Sequence, residues 1–373
     1  MASLSRRQVL RLFVLGSGGA ILVACAQPAA TPTAKPAVTT PPAQPTPTSS
    51  PAQPTPAAKP STPPAAASPT AALAAQKFPT RPVTLICPWA AGGGTDRIAR
   101  MVATLLEKDF GQPVNVVNRT GGGGAVGHTA GATADPDGHT ITIVTVEIAM
   151  MHWMGLAQVG PKDFAPAAQL NFDPAGVQVR ADAKWKTLKE LLDDVKANPG
   201  KYKASGTGKG GIWDLARAGM LKAAGIPVNA LPWVPSEGAA PALQELASGG
   251  IDVVTASLPE GASMIEAKKV RPLAVMGEAR DPQFPDVPTL KELGIDWVMG
   301  AWRGIGLPKG AKAELVTFYE KALNKVVESA EFKDFMKKNG FGIRWRDAKE
   351  FAAFMEEQDQ TMGKIMKEVG LIS

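Results

Sequence analysis

Apolar residues in this chain follow two rhythms, and their alternation predicts the secondary structure. Short apolar runs bounded by turn residues predict strands at "VTLIC" (83–87), "VNVVN" (114–118), "TITIVTV" (140–146) and "GVQVR" (176–180). Between the first two, Ile98, Met101, Val102, Leu105 and Leu106 recur at helical spacing from Thr95, and Gly111 supplies the stop. Thr187 with Glu190 forms a capping box on the helix "LKELLDDVKA", which "NPG" ends. "KYKASG", "VNALPWV", "IDVVTA" and "VRPLAVM" predict further strands, with helical patterns between them. Near the end, Leu315, Phe318, Tyr319, Leu323 and Val326 share one helical face, and Asp347 with Glu350 caps another helix. Strands alternating with helices predict an α/β fold. Roughly 300 folded residues exceed what one core usually serves, so two doubly wound domains are expected.

The first 77 residues break this pattern. Arg6, Arg7 and Arg11 precede an apolar stretch from Leu12 to Ala24, which is too short to span a bilayer and reads as the apolar region of an export signal. "SRRQVLR" is similar to a twin-arginine signal, and "LVAC" resembles a lipobox, which would make Cys25 the acylated first residue of the mature chain. The alternative is an ordinary cleaved signal with a chance cysteine. From Ala26, Pro, Ala, Thr and Ser dominate, with no acid and no bulky apolar period. Such a segment cannot bury a core and reads as a tether, with an extended reach on the order of 150 Å. The expected division is therefore a signal peptide at 1–24, a tether at 25–77, a first domain from 78–180 and 297–373, and a second domain at 181–296.

Charge changes the picture only once it is located. The chain carries a formal +6, and the six basic residues among 1–77, unaccompanied by any acid, account for all of it. The folded part is neutral overall, so the basic balance does not argue for nucleic acid. Cys87 is the one cysteine beyond Cys25, which excludes a disulfide within the folded part, and it reads as a small buried strand residue. His128, His139 and His152 lack metal-ligand spacing and read as surface or loop residues. The sequence contains no HExxH, no CxxC and no G-x-S-x-G elbow. "GGGAVG" (122–127) fits the dinucleotide fingerprint, with Glu147 about 20 residues on, and keeps an exported oxidoreductase open as an alternative. A ligand-sensing lipoprotein is a third class.

Two glycine clusters carry the strongest chemical signal. "AAGGGTD" (90–96) and "SGTGKGG" (205–211) each follow a strand and open a helix. Main-chain N–H groups at such a turn form a cup of positive partial charge, and glycine lets a ligand approach the backbone closely. The first cluster, "GGGTDR", lacks the Lys-Ser/Thr of a nucleotide-triphosphate loop. Two cups facing one cleft suit a ligand carrying carboxylates.

These clusters belong to an ordered series: "FPTRPVTLICPWAAGGGTDRIAR", "FGQPVNVVNRTGGGGAVG", "ADPDGHTI", "KDFAPAAQL", "LKELLDDVKANPGKYKASGTGKGG", "EGAAPALQELASGGIDVV", "VRPLAVMGEARDPQFPDVPTLKELG" and the terminal "VGL". With these motifs the folded part resembles the substrate-binding receptors of tripartite tricarboxylate transporters, the Bug-type extracytoplasmic solute receptors. The resemblance implies two α/β domains of the type II periplasmic-binding kind, closing on a small organic acid and delivering it to integral membrane subunits. It implies no catalysis, no cofactor and no metal. It places Trp89, Ala90, Gly93, Gly94, Thr95 and Asp96 in a first binding loop, and Thr207, Gly208, Gly211, Ile212 and Asp214 in a second. Ser236 and Glu237 fall at a further ligand turn, and Glu147 at the tip of the third strand. Ala91 stands where proline is common, and Asp214, Glu237 and Glu147 depart from the usual residues. Three acids near an acid-binding cleft either face solvent or imply a ligand with an amine, amide or hydroxyl. Of the tryptophans, Trp89, Trp153, Trp213, Trp233 and Trp302 are expected near the cleft mouth, and Trp185, Trp297 and Trp345 in packing positions.

Overall fold

A computed structural model describes residues 78–373. The expected signal peptide, the expected lipidation site Cys25 and the expected tether lie outside the described residues.

Two mixed sheets, each flanked by helices, build two lobes. In the first lobe, β1 (Val83–Cys87), β2 (Val114–Asn118) and β3 (Thr140–Thr145) are parallel, joined through α1 (Gly94–Phe110) and α2 (Ala125–Ala132). β4 (Phe164–Pro174) leads into the second lobe, which contains β5 (Gly176–Arg180), α3 (Leu188–Ala197), β6 (Ala204–Ser205), α4 (Ile212–Ala223), α5 (Ala239–Ser248), β7 (Val253–Val254), α6 (Leu258–Glu266) and β8 (Val270–Val275). β9 (Gly300–Pro308) returns the chain to the first lobe, followed by α7 (Ala313–Glu328), α8 (Ala330–Asn339), β10 (Ile343–Arg346) and α9 (Ala348–Glu368). The sheet orders are β10-β4-β9-β3-β1-β2 and β6-β7-β5-β8.

β4 and β9 are the long central strands, and the periodicity did not predict them. All nine residues of β9 are buried, so no polar alternation marks it, and Pro166 and three glycines interrupt the apolar runs. β4 and β9 pair antiparallel up to Pro174 opposite Gly300. Beyond that point, bonds from Ala175 N–H to Met299 O and from Met276 N–H to Ala175 O tie the two crossings together. Strand β5, assigned to the first domain by the sequence reading, pairs with β7 and β8 in the smaller sheet. "KYKASG" and "IDVVTA" shorten to two-residue strands, and "VNALPWV" forms a 3-10 turn and an isolated bridge.

Local signals elsewhere behave as the sequence implies. Thr187 accepts a bond from Glu190 N–H at the start of α3, and Asp347 with Glu350 closes a reciprocal box on α9. α1 ends at Gly111, whose φ of 66° gives the left-handed stop. Cys87 is fully buried, and burial pushes its thiol up to about 12.

Candidate functional site

The two lobes meet where α1 and α4 begin, and these helices start alike. Gly93 and Gly211 take the same extended N-cap conformation, with φ, ψ of −74°, 171° and −75°, 175°. One residue earlier, Gly92 and Gly210 adopt positive φ (83° and 73°), which turns the chain sharply into the helix. Each loop is braced from behind by an acid of its own helix. Asp96 accepts from Gly92 N–H at 2.9 Å, and Asp214 accepts from Gly210 N–H at 2.9 Å. Arg100 and Asn118 hold Asp96, and Arg217 holds Asp214 at 2.5 and 3.0 Å. Burial opposes ionisation of Asp96, but Arg100, the Gly92 N–H and Asn118 outweigh it and keep its carboxyl below the usual range. Asp214 was expected either to face solvent or to meet a ligand. The structure instead directs both its oxygens into its own loop and Arg217, because an acid in the first helical turn can reach back to the preceding N–H groups.

Neither α1 nor α4 has a side-chain N-cap. Their first N–H groups bond instead to carboxylates from the opposite lobe. Gly94 N–H donates to Glu260 Oε1 at 3.1 Å, and Ile212 N–H donates to Glu147 Oε1 at 3.2 Å. Glu147 follows β3 of the first lobe, and Glu260 lies in α6 of the second. Glu147 is buried and the Glu260 side chain is 5% exposed, and burial raises both carboxyls above their ordinary range. Thr145 and the Ile212 N–H oppose the shift at Glu147, and Arg303 opposes it at Glu260.

Arg303, from the middle of β9, is the buried cation of the site. Its guanidinium reaches Asp173 at 2.6 Å, Asn171 at 2.6 Å, Thr95 Oγ1 at 2.9 Å and Glu260 at 3.3 Å. Sequence reasoning missed Arg303, Glu260, Asp173 and Thr145. A lone arginine inside the apolar run "GAWRGIGLP" was the available signal for the first.

A cavity of about 20 Å³, enough for one water, lies among these groups. Of the predicted residues, Trp89, Ala90, Gly93, Gly94, Thr95, Glu147, Thr207 and Ile212 line it. Trp213 and Trp302 line it as well, as expected. Thr207 and Trp302, which line it, each carry a buried polar atom, Oγ1 and Nε1, with no hydrogen-bond partner among the described residues. An indole N–H can only donate, so it calls for an acceptor on whatever enters. Gly208, Ser236 and Glu237 instead border an outer cavity of about 280 Å³, together with Lys209. Glu237 is exposed there, and its backbone carbonyl accepts from Ala90 N–H of the other lobe at 3.1 Å. Asp96, Gly211 and Asp214 do not line either cavity.

The dinucleotide-like glycines have a different use. Gly121 to Gly124 all have positive φ, and the turn seats against the second lobe so closely that a Cβ on Gly208 would lie 2.5 Å from Gly123 Cα. His128 fixes this turn from behind. It is fully buried and lies within a helix, contrary to the expected surface or loop position. Its Nδ1 is 2.8 Å from Gly124 O, which can only accept, and its Nε2 is 3.1 Å from Thr145 N, which can only donate. The neutral ring with the proton on Nδ1 satisfies both. Burial lowers its pKa to about 4.

This depression has a measurable consequence. The unfolded chain binds a proton near pH 6.5, whereas the folded chain resists it down to about 4. Stability from this group is present above pH 6.5 and is lost as pH falls toward 4, by about 3 kcal/mol in all. Urea titrations at pH 7.5 and 4.5 should show the stability difference between parent and His128→Gln narrowing at the lower pH. A difference independent of pH would refute the neutral-histidine assignment.

Residues 98–371 match the tripartite tricarboxylate transporter family receptor. The chain belongs to that family. The family is one of solute-binding receptors and not of enzymes, so the oxidoreductase reading of "GGGAVG" falls. The chain is 32% identical over 267 residues to the "UPF0065 protein in tcbD-tcbE intergenic region" of Pseudomonas sp. (strain P51), covering 70% of this chain and 79% of the relative. Among solved structures, it is similar to MatC from Rhodopseudomonas palustris with bound malate, at 27% identity and a TM-score of 0.72, over 77% of this chain and 99% of that one. It is also similar to an R. palustris protein with adipate, at 25% identity and a TM-score of 0.74, over 79% and 98% of the two chains. The two-lobed α/β architecture is shared with the periplasmic binding protein BugD, at 28% identity and a TM-score of 0.74 over 79% of this chain and 99% of that one.

Proposed function

We propose that this receptor captures a small organic carboxylate between its lobes, or a related amide or amino compound, and delivers it to the integral membrane subunits of a tripartite transporter. One observation carries the reading: two helix N-termini of matched geometry, neither capped by its own N-cap side chain, face one cavity lined by Gly94, Ile212 and Trp302. Helix N-termini favour negative charge, and buried donors favour acceptors. The malate and adipate bound by two structural neighbours support the ligand class. The jaws are the two lobes, hinged where β4 passes into β5 and where the chain returns to β9. The ligand-contacting residues are Trp89, Ala90, Gly93, Gly94, Thr95, Thr207, Ile212, Trp302 and Arg303. The twin-arginine signal, the lipobox and the tether support an exported protein held at the membrane by lipid on Cys25, with the folded part free to range.

The test is thermal unfolding and tryptophan fluorescence of the purified protein with a panel of mono-, di- and tricarboxylates, amino acids and amides. A ligand at a hundredfold excess over Kd should add about 2.7 kcal/mol to stability. Fluorescence should shift as Trp89, Trp213 and Trp302 change surroundings. A panel giving neither effect would refute the reading.

A further inference from the structure

The two N–H cups are already engaged by the protein's own carboxylates, and the engagement is reciprocal. Gly94 and Ile212 are the first residues of α1 and α4. Each is bonded to a glutamate on the lobe across the cleft. The two glutamates hold corresponding places, each following a strand at the cleft edge: Glu147 after β3 and Glu260 after β7. Elsewhere in the chain, α3 and α9 take their caps from Thr187 and Asp347, immediately before the helix. Only at the cleft, among these helices, does the cap come from another lobe. We infer that Glu147 and Glu260 are internal surrogates for the ends of a carboxylate ligand: they latch the free receptor closed, and a ligand binds by displacing them, so these two residues set its affinity and selectivity.

Several observations converge on this. Glu260 Oε1 lies between Gly94 N–H and Arg303, a donor pair that a ligand carboxylate would use in the same way. A Cβ on Gly94 would lie 2.7 Å from that oxygen, so the glycine is what admits the carboxylate. Glu147 is held by Thr145 Oγ1 at 2.5 Å, and Thr145 in turn accepts from Trp89 Nε1 at 3.3 Å, which links the latch to the wall of the first cup. Thr207 and Trp302 line the same cavity, and their Oγ1 and Nε1 atoms have no partners among the described residues, so the surrogates do not satisfy every polar group of its lining residues. A ligand that fills both cups and these two atoms therefore gains bonds that the glutamates do not make. When Glu260 leaves, Arg303 keeps Asp173, so displacement does not strand the guanidinium.

The inference rests on the receptor reading but is separable from it. Spin labels at exposed Thr104 and Gln244, one on each lobe, report opening by pulsed dipolar spectroscopy, with Cys25→Ser and the buried Cys87 unlabelled. Without ligand, Glu147→Ala/Glu260→Ala should lengthen the distance relative to the parent. The isosteric Glu147→Gln/Glu260→Gln pair, which keeps the packing, should lengthen it in the same direction. In calorimetry with adipate and with malate, each single alanine variant should bind about tenfold tighter than the parent. Unchanged distances in both double variants would overturn the latch, as would weaker binding by the variants of an acid that the parent binds. If neither acid binds parent or variant, the carboxylate reading fails for these acids, and the distances alone decide the latch.

Discussion

Arg303→Met is expected to lower folding stability by about 3–5 kcal/mol, because it strands buried carboxylates. Asp173 and Glu260 both lean on this guanidinium, and all three side chains are at most 5% exposed. Removing one member of a buried ion pair leaves its partner without compensation and without water. Asp173 retains the Gly342 N–H and Asn171, so the loss stays finite. Burial already raises the carboxyls of Asp173 and Glu260, and without Arg303 both should rise further and take up protons. The check is urea denaturation of Arg303→Met alone and combined with Asp173→Asn and Glu260→Gln. The combination should recover most of the loss, because no unpaired charge remains. A loss under about 1 kcal/mol for the single variant, or no recovery, would contradict the assignment of Arg303 as the cation on which the site is built.

Gly208→Val should weaken ligand binding about 10- to 100-fold while leaving each lobe folded. Gly208 lies in the second glycine loop, and an added Cβ would meet Gly123 Cα at 2.5 Å and Gly123 N at 3.0 Å. Both are backbone atoms of the opposite lobe and cannot turn aside as a side chain can. Gly208 does not occupy the left-handed region, so valine adds no backbone strain of its own. The penalty falls on closure, and overpacking of this kind costs about 1–3 kcal/mol, the stated loss in affinity. The checks are calorimetric titration with a ligand of the parent and the tryptophan fluorescence shift on binding. Unchanged affinity would show that the cleft does not close through this contact.

Elements set by neighbouring residues were legible in the sequence. β1, the glycine turn and α1 were legible because a strand, a turn and a helical period follow one another without interruption. The caps at Thr187 and Asp347 were legible because a capping box is local. β4 and β9 were not, because strands buried on both faces lose their alternation and these carry proline and glycine as well. The two cups were legible as glycine clusters, but their occupants were not. Glu260 lies 166 residues from the N–H it accepts, and only the closing of two lobes brings them together. Asp214 was misread for a related reason. The matching of Gly92 and Asp96 with Gly210 and Asp214 was present in the sequence, and it marks a self-bracing loop, yet an acid near a binding turn reads more readily as facing a ligand or solvent. His128 was placed at the surface or in a loop because nothing nearby in sequence reveals that Gly124 O and Thr145 N–H would sandwich its ring.

On the proposed reading, Gly94 and Ile212, one from each lobe, offer their main-chain N–H groups to the two ends of one ligand. Amide resonances of the isotopically labelled protein, followed during titration with a dicarboxylate that stabilises it, test this most directly. Both amides should move and saturate together with one apparent Kd, as each exchanges a glutamate for a ligand carboxylate. Stabilisation by the ligand with both resonances unmoved would place the binding site elsewhere and contradict the account.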